Sequence, residues 1–312
     1  INAVNNRIKS IKPYCSFGVS PAGIACTDSS VASAYGVPRC TVGSDWQYNG
    51  IYSDPVAWLK NRYLDFVSPQ LYWGVSDYGS SYPLDKLDPW WSTVANQFSR
   101  QYYASIADYI SDVDMGSEYQ SGSGDYDAIK KQIQYNRSLT KTGAPGIIHY
   151  RSLSFKASHG KLNLVNNLVS TVYQKPALPP TMSWKKGSTT YSKVDNLEVN
   201  GTNLVWDAPA TNIRYIVYAI PESKTTTAVQ STVSGGGIAS DYMLGVTYTN
   251  SYAIPAAYQS GYYFAVTVYD RYGYEYDARY SNEITKYATK VKLISPSNGA
   301  TGVEGSQTFS WS

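Results

Sequence analysis

The feature that most constrains this chain is the alternation of elements over its first 175 residues. INAVNNRIKSIKP opens inside an amphipathic helix, with Val4, Ile8 and Ile11 at helical spacing. CSFGVS (15–20) reads as a short strand that buries Cys15, and a long loop then runs to Asp54-Pro55, an N-cap followed by proline at the first helical position. LDFVSPQLYW (64–73) is the second strand, followed by a helix near 87–99. YYASIADY (102–109) is the third strand, followed by a helix from Tyr126 to Leu139. GIIHYRSL (146–153) is the fourth, followed by a helix near 160–174. Helix, then four strand–helix units, implies parallel strands joined by right-handed crossovers. The loops after the strands are long and those before them short, which is how barrel enzymes build sites at strand C-termini. Four such units fit half of a (β/α)8 barrel.

KPALPP (175–180) reads as a linker, beyond which the pattern changes. NLEVNGTNLVWDAP, IRYIVYAIP, NSYAIP and GYYFAVTVYDRYGYEYDARYSNEI read as successive strands of a β-sandwich. An early Trp206 and alternating Tyr and Val later resemble a fibronectin type III domain over 176–288. Residues 289–312 read as the truncated start of a further such module. The chain is thus expected to be α/β followed by all-β, and an internal piece of a longer protein.

Composition narrows the function. Net charge is +3 and no Lys/Arg-rich run occurs, which argues against nucleic-acid binding. No apolar run is long enough for a membrane span. The 31 Tyr and 8 Trp against 6 Phe favour rings with a polar handle, a composition that suits sugar-handling proteins but also follows from compositional bias. Three cysteines do not make a disulfide framework. Cys26 and Cys40 flank one loop and either pair in an oxidising compartment or stay as thiols. His149 and His159 lack partnering cysteines and read as structural; no cofactor is expected.

The stretch FVSPQLYW (66–73) is the most informative. Period two places Phe66, Ser68, Gln70 and Tyr72 on one face and Val67, Pro69, Leu71 and Trp73 on the other. With Val67 and Leu71 toward the helices, Gln70 and Tyr72 point into the barrel mouth, as do Ser16, Gly18 and Ser20 of the preceding strand. Satisfied core polar groups are the alternative for Ser16 and Ser68.

KPYCSFGVSPAGIA, IYSDPVAWLKNRYLDFVSPQLYW, PWWSTVA and GAPGIIHYRSL, in that order, resemble the glycosyl-hydrolase-like family 10 of secreted glycosidases over residues 1–175. The resemblance implies a (β/α)8 barrel of which this chain carries strands 5–8, and a glycan substrate, a cell-wall or other complex polysaccharide. It also implies a location outside the cytoplasm, secreted or in the cell envelope. The family's Asp-Asp-Tyr block at the end of strand 4 has no counterpart here.

Glycoside hydrolysis ordinarily uses two carboxyl groups, roughly 5–5.5 Å apart for retention and about 6.5–9.5 Å for inversion. Acidic candidates on the loops after the strands are Asp28, Asp45, Asp77, Asp108, Asp112, Asp114 and Glu118. Asp54 reads as a helix cap, Asp65 lies at the wrong end of its strand, and Asp125 and Asp127 belong to a helix start. Asp45, in GSDWQYNG, is the best single catalytic candidate among them, its alternative being a loop Asp capping its own backbone; the main acid pair is expected upstream. Ser20, Trp46, Gln70, Tyr72, Trp73, Tyr150 and Arg151 are expected to bind substrate, the rings by stacking and the others by hydrogen bonding. Trp90 and Trp91 share a helix and cannot both face the site. Expected partners are the glycan and either the missing half of the barrel or a second copy, because a half barrel leaves open strand edges. A glycan-binding protein without catalysis, or a structural surface protein, are the competing readings.

Overall fold

The computed structural model describes residues 1–75, 83–109, 127–139, 146–155, 162–231 and 237–282, with the backbone of Leu293–Ser295 and Ser310–Trp311. These residues form two compact units. One comprises Ile1–Thr189 with Arg271–Gly273, and the other Thr190–Asp270 with Tyr274–Ser312.

The first unit alternates helix and strand: α1 (Asn2–Ile11), β1 (Gly18–Val19), α2 (Ser29–Tyr35), α3 (Trp46–Ile51), α4 (Pro55–Lys60), β2 (Phe66–Val67), α5 (Leu84–Gln97), β3 (Gln101–Ala107), α6 (Asp127–Ser138), β4 (Gly146–Tyr150) and α7 (Leu162–Thr171). The sheet order is β1-β2-β3-β4 and every pairing is parallel. This is the arrangement of a partial α/β barrel.

β1 and β2 are shorter than the sequence patterns predict. Pro21 and Pro69 have no N–H to give the ladder. Pairing resumes just beyond them as single parallel bridges, Ala22 to Gln70 and Gln70 to Ser105. Cys15 therefore lies outside β1 and is exposed, contrary to the expectation that a strand buries it. The loop after β1 also holds two helices the hydrophobic pattern missed. α2 is capped by Asp28, whose carboxylate accepts from the Ser30 and Val31 amides, and ends at Gly36 with φ 73°. Such short helices are set by their caps rather than by an apolar stripe.

The helices cover one face of the sheet. Val67, Leu71, Tyr102, Ala104 and Ile106 pack there with Leu59, Leu84, Leu87, Trp91 and Ile133. Trp90 and Trp91 are both buried, their indole N–H groups donating to the carbonyls of Pro38 and Gly23. On the opposite face the Phe66 and Tyr103 rings meet edge to face at 5.3 Å. Each lies across a glycine: a Cβ on Gly18 would fall 2.4 Å from the Phe66 ring, and one on Gly146 would fall 2.5 Å from Tyr103. Glycine is required at both positions by this close approach.

At the strand N-termini Asp65 gathers three segments. Its carboxylate pairs with Lys9 of α1, accepts from the Phe17 amide at 2.9 Å and accepts from the Trp184 indole at 2.9 Å. These partners hold the carboxyl below its ordinary range despite burial. Gln101 adds bonds to the carbonyls of Pro180 and Thr181, so the segment through Trp184 is tied to this unit.

The second unit is an antiparallel sandwich of β5 (Asp195–Asn200), β6 (Asn203–Asp207), β7 (Arg214–Pro221), β8 (Met243–Thr247), β9 (Ser251–Ala253), β10 (Tyr262–Tyr269) and β11 (Arg279–Tyr280). One sheet has the order β5-β6-β9 and the other β11-β10-β7-β8. Leu197, Leu204 and Trp206 of the first meet Tyr215, Val217, Phe264, Val266 and Val268 of the second in one core. β12 (Leu293–Ser295) and β13 (Ser310–Trp311) pair antiparallel; the rest of 289–312 lies outside the described residues.

Candidate functional site

The C-terminal ends of the parallel strands bring several of the expected residues together. Gln70 is exposed, and its amide donates to the Ser20 carbonyl at 3.2 Å, joining the ends of β1 and β2. Tyr72 and Tyr150 stack with centroids 5.8 Å apart and planes at 22°. Tyr109, at the end of β3, meets both edge to face, at 6.3 Å from Tyr72 and 6.0 Å from Tyr150. The three rings form one surface on which Tyr109 and Tyr150 are each about half exposed. Burial raises the Tyr72 hydroxyl above its usual range, with a hydrogen bond to Ser105 opposing. Tyr109 escaped the sequence reading, although period two from Ser105 and Ala107 would have placed it on the Tyr103 face.

Immediately behind this surface lies a buried polar chain. Asp108 is fully buried; its Oδ1 lies 2.8 Å from His149 Nδ1, and its amide donates to the Tyr150 carbonyl at 2.8 Å. His149 Nε2 lies 2.6 Å from the Tyr173 hydroxyl. In the tautomer with its proton on Nδ1, the ring donates to Asp108 and accepts from the Tyr173 hydroxyl. Burial pushes the Tyr173 hydroxyl up to about 12.

Asp45 caps α3. Its Oδ1 accepts from the Tyr48 amide at 3.1 Å and its Oδ2 from the Cys26 amide at 2.7 Å. Both oxygens are engaged by backbone N–H groups; burial raises its pKa and these bonds oppose that. Trp46, the next residue, is 56% exposed. Gln47 tethers α3 inward by donating to the carbonyls of Ala22 and Ile24, and Ala22 is the bridge partner of Gln70. Cys26 and Cys40 are buried free thiols joined through the Cys40 amide and the Cys26 carbonyl. Burial and the nearby Asp54 and Asp45 push Cys26 up to about 12.

Other expected residues stand apart from the tyrosine surface. Trp73 packs against the helix-side core. Arg151 is exposed, and its carbonyl accepts from Ser154 at the start of a short 3-10 turn. Asp54 caps α4 through the Ala57 amide. Asp77, Asp112, Asp114, Glu118, Asp125 and His159 lie outside the described residues. Asp88 of α5 is a buried carboxyl on the helix side, bonded by the Tyr102 hydroxyl and the Asn136 amide; burial raises it to about 6. Among the described residues no group of three or more His, Cys, Asp or Glu is placed to hold a metal ion, and no helix is long and apolar enough to cross a membrane.

Residues 1–121 match the family model described as Glycosyl hydrolase-like 10. Over these residues the chain resembles that family. The chain is also similar to two curated glycosyl hydrolases. YngK of Bacillus subtilis (strain 168) is 27% identical over 187 residues, covering 59% of this chain and 33% of YngK. DigH of Escherichia coli (strain K12) is 33% identical over 146 residues, covering 45% of this chain and 30% of DigH. The chain spans about a third of the length of these relatives. The Glycosyl hydrolase-like 10 segment holds Asp45, Gln70, Tyr72, Asp108 and Tyr109; Tyr150 and His149 follow it.

Proposed function

We propose that the first unit is the substrate-positioning half of a glycoside hydrolase acting on a cell-wall or other complex polysaccharide outside the cytoplasm. The observation that carries this reading is the Tyr72–Tyr109–Tyr150 surface, set beside Gln70 and Ser20 at the C-terminal ends of parallel strands. Sugar rings present C–H faces that pack on such rings, and the flanking amide and hydroxyl supply hydrogen bonds. The match of residues 1–121 to the Glycosyl hydrolase-like 10 model supports the chemistry.

In this reading the main acid pair lies upstream, and the barrel is completed by an upstream half or a second copy. Asp45 is the one catalytic candidate within the described residues. A general acid needs a raised pKa, which Asp45 has, but also a free oxygen, and both of its oxygens serve the backbone. Trp46 extends the substrate surface from α3. The second unit is proposed as a fibronectin type III-like spacer, on the strength of its three-plus-four antiparallel sandwich. The competing reading, glycan binding without cleavage, is favoured by the same engagement of Asp45.

Reducing-sugar release from cell-wall glycan by the parent protein and by this chain, side by side, separates these readings. Release by the parent alone places the acids upstream. Release by this chain alone, abolished by Asp45→Asn, places them here. Binding with no release by either supports the non-catalytic reading.

A further inference from the structure

The strand ends carry one inference beyond stacking and hydrogen bonding to a sugar. Asp108 and Tyr109 are neighbours in sequence, as are His149 and Tyr150. One member of each pair is turned toward the helices and the other toward the open face. Two contacts join the pairs, Asp108 Oδ1 to His149 Nδ1 and the Asp108 amide to the Tyr150 carbonyl, both at 2.8 Å. They lie directly behind the two exposed rings, whose centroids are 6.0 Å apart. The far end of the chain is fixed as well. His149 is bracketed edge to face by Phe155 and Tyr173, at 5.3 and 5.7 Å. The Arg137 guanidinium of α6 lies 5.2 Å over the Tyr173 ring and donates to the Val172 carbonyl.

A fully buried carboxylate is costly unless it is paired, and His149 is its side-chain partner; Asp108 Oδ2 makes no hydrogen bond among the described residues. An apolar pair would pack these strand ends without that cost. The polar pair supplies a directional link between β3 and β4 at the point where their next residues present rings. We propose that Asp108 and His149 are positioning residues that set the spacing of Tyr109 and Tyr150, and through them the three-ring surface with Tyr72. The functional value of that spacing rests on the saccharide reading above; the positioning itself does not.

The test labels the 312-residue chain with 3-fluorotyrosine and assigns the 19F signals of Tyr72, Tyr109 and Tyr150 by single Tyr→Phe variants. In His149→Ala and Asp108→Ala these three signals should move or broaden, while those of Tyr252 and Tyr258 in the sandwich stay in place. Asp108→Asn should restore them, because its Oδ1 still accepts from His149 Nδ1–H. Titration with a soluble chito-oligosaccharide adds the second readout, an expected fivefold or greater weakening in His149→Ala. Unmoved ring signals in His149→Ala, or Asp108→Asn behaving like Asp108→Ala, would overturn the proposal. Ring signals that move in the two alanine variants, together with no saccharide binding by the wild type, would uphold the positioning and sink the saccharide reading alone.

Discussion

Along β3 the helix-facing Tyr102, Ala104 and Ile106 are at most 4% exposed, whereas the opposite face of the same sheet leaves Phe66 and Tyr103 half-buried and Ile148 and Tyr150 37% and 47% exposed. Along β7 in the second unit every residue from Tyr215 to Ile220 is buried, on both faces. One face of β7 meets the other sheet. The second is covered by the segments that follow β7 and β10: Val229 and Ile238 are buried, the Lys224 carbonyl accepts from the Tyr263 hydroxyl, and Glu275 accepts from Tyr218 and Thr267. Parallel sheets are ordinarily covered on both faces. The contrast marks the open face of the first unit as a surface for something other than the chain's own core. Under the proposed function, that is the sugar at the strand ends and the rest of the barrel below them.

The comparison can be broken by deletion mutants. Phe264→Ala, in the sandwich core, should cost about 3–5 kcal/mol. Ile216→Ala, on the covered second face of β7, and Ile106→Ala, on the helix side of β3, should each cost about 2–5 kcal/mol. Ile148→Ala should cost under about 1 kcal/mol. Denaturant unfolding of the four variants measures this. A cost for Ile148→Ala equal to that for Ile106→Ala would mean both faces of the first sheet are packed in solution.

Two carboxylates give pH effects of opposite sign. Asp88 is raised to about 6 in the folded protein, so the folded state holds its proton more tightly. Its contribution is full below about pH 4, the unfolded value, and is lost as pH rises to about 6. The rise from about 4 to about 6 is worth about 3 kcal/mol. Asp88→Asn should remove this slope, seen as urea midpoints of variant and wild type that diverge between about pH 4 and 6 and run parallel above that. Asp65 is lowered, so its contribution is present above about pH 4 and is lost as pH falls through its folded value. Asp65→Asn should cost about 2 kcal/mol near pH 7, a cost that shrinks as pH falls below about 4.

Much of the first unit was legible because its helices carry an apolar stripe and its strands sit between them. α5, α6 and β3 fall within a few residues of their predicted spans. What the pattern missed was set by single residues. Pro21 and Pro69 cut β1 and β2 to two residues each, and the caps Asp28 and Asp45 made helices in a stretch with no periodic stripe. At the site, alternation correctly pairs Gln70 and Tyr72 on the open side and Leu71 and Trp73 on the other. It did not reveal that Asp108 and His149 would meet, because that contact joins residues 41 positions apart on neighbouring strands. The engagement of Asp45 by the Cys26 amide is also nonlocal, across 19 positions.

The most informative effect is at the ring in the middle of the site. Tyr72→Ala removes the ring shared by both other tyrosines from a partly exposed position. It should weaken chito-oligosaccharide binding about tenfold, or about 1.4 kcal/mol, with the melting temperature changed little. Calorimetric titration of wild type and Tyr72→Ala is the direct measurement. A tenfold loss at unchanged stability is the predicted result; equal affinity in the two proteins would contradict the assignment of the open face to a saccharide.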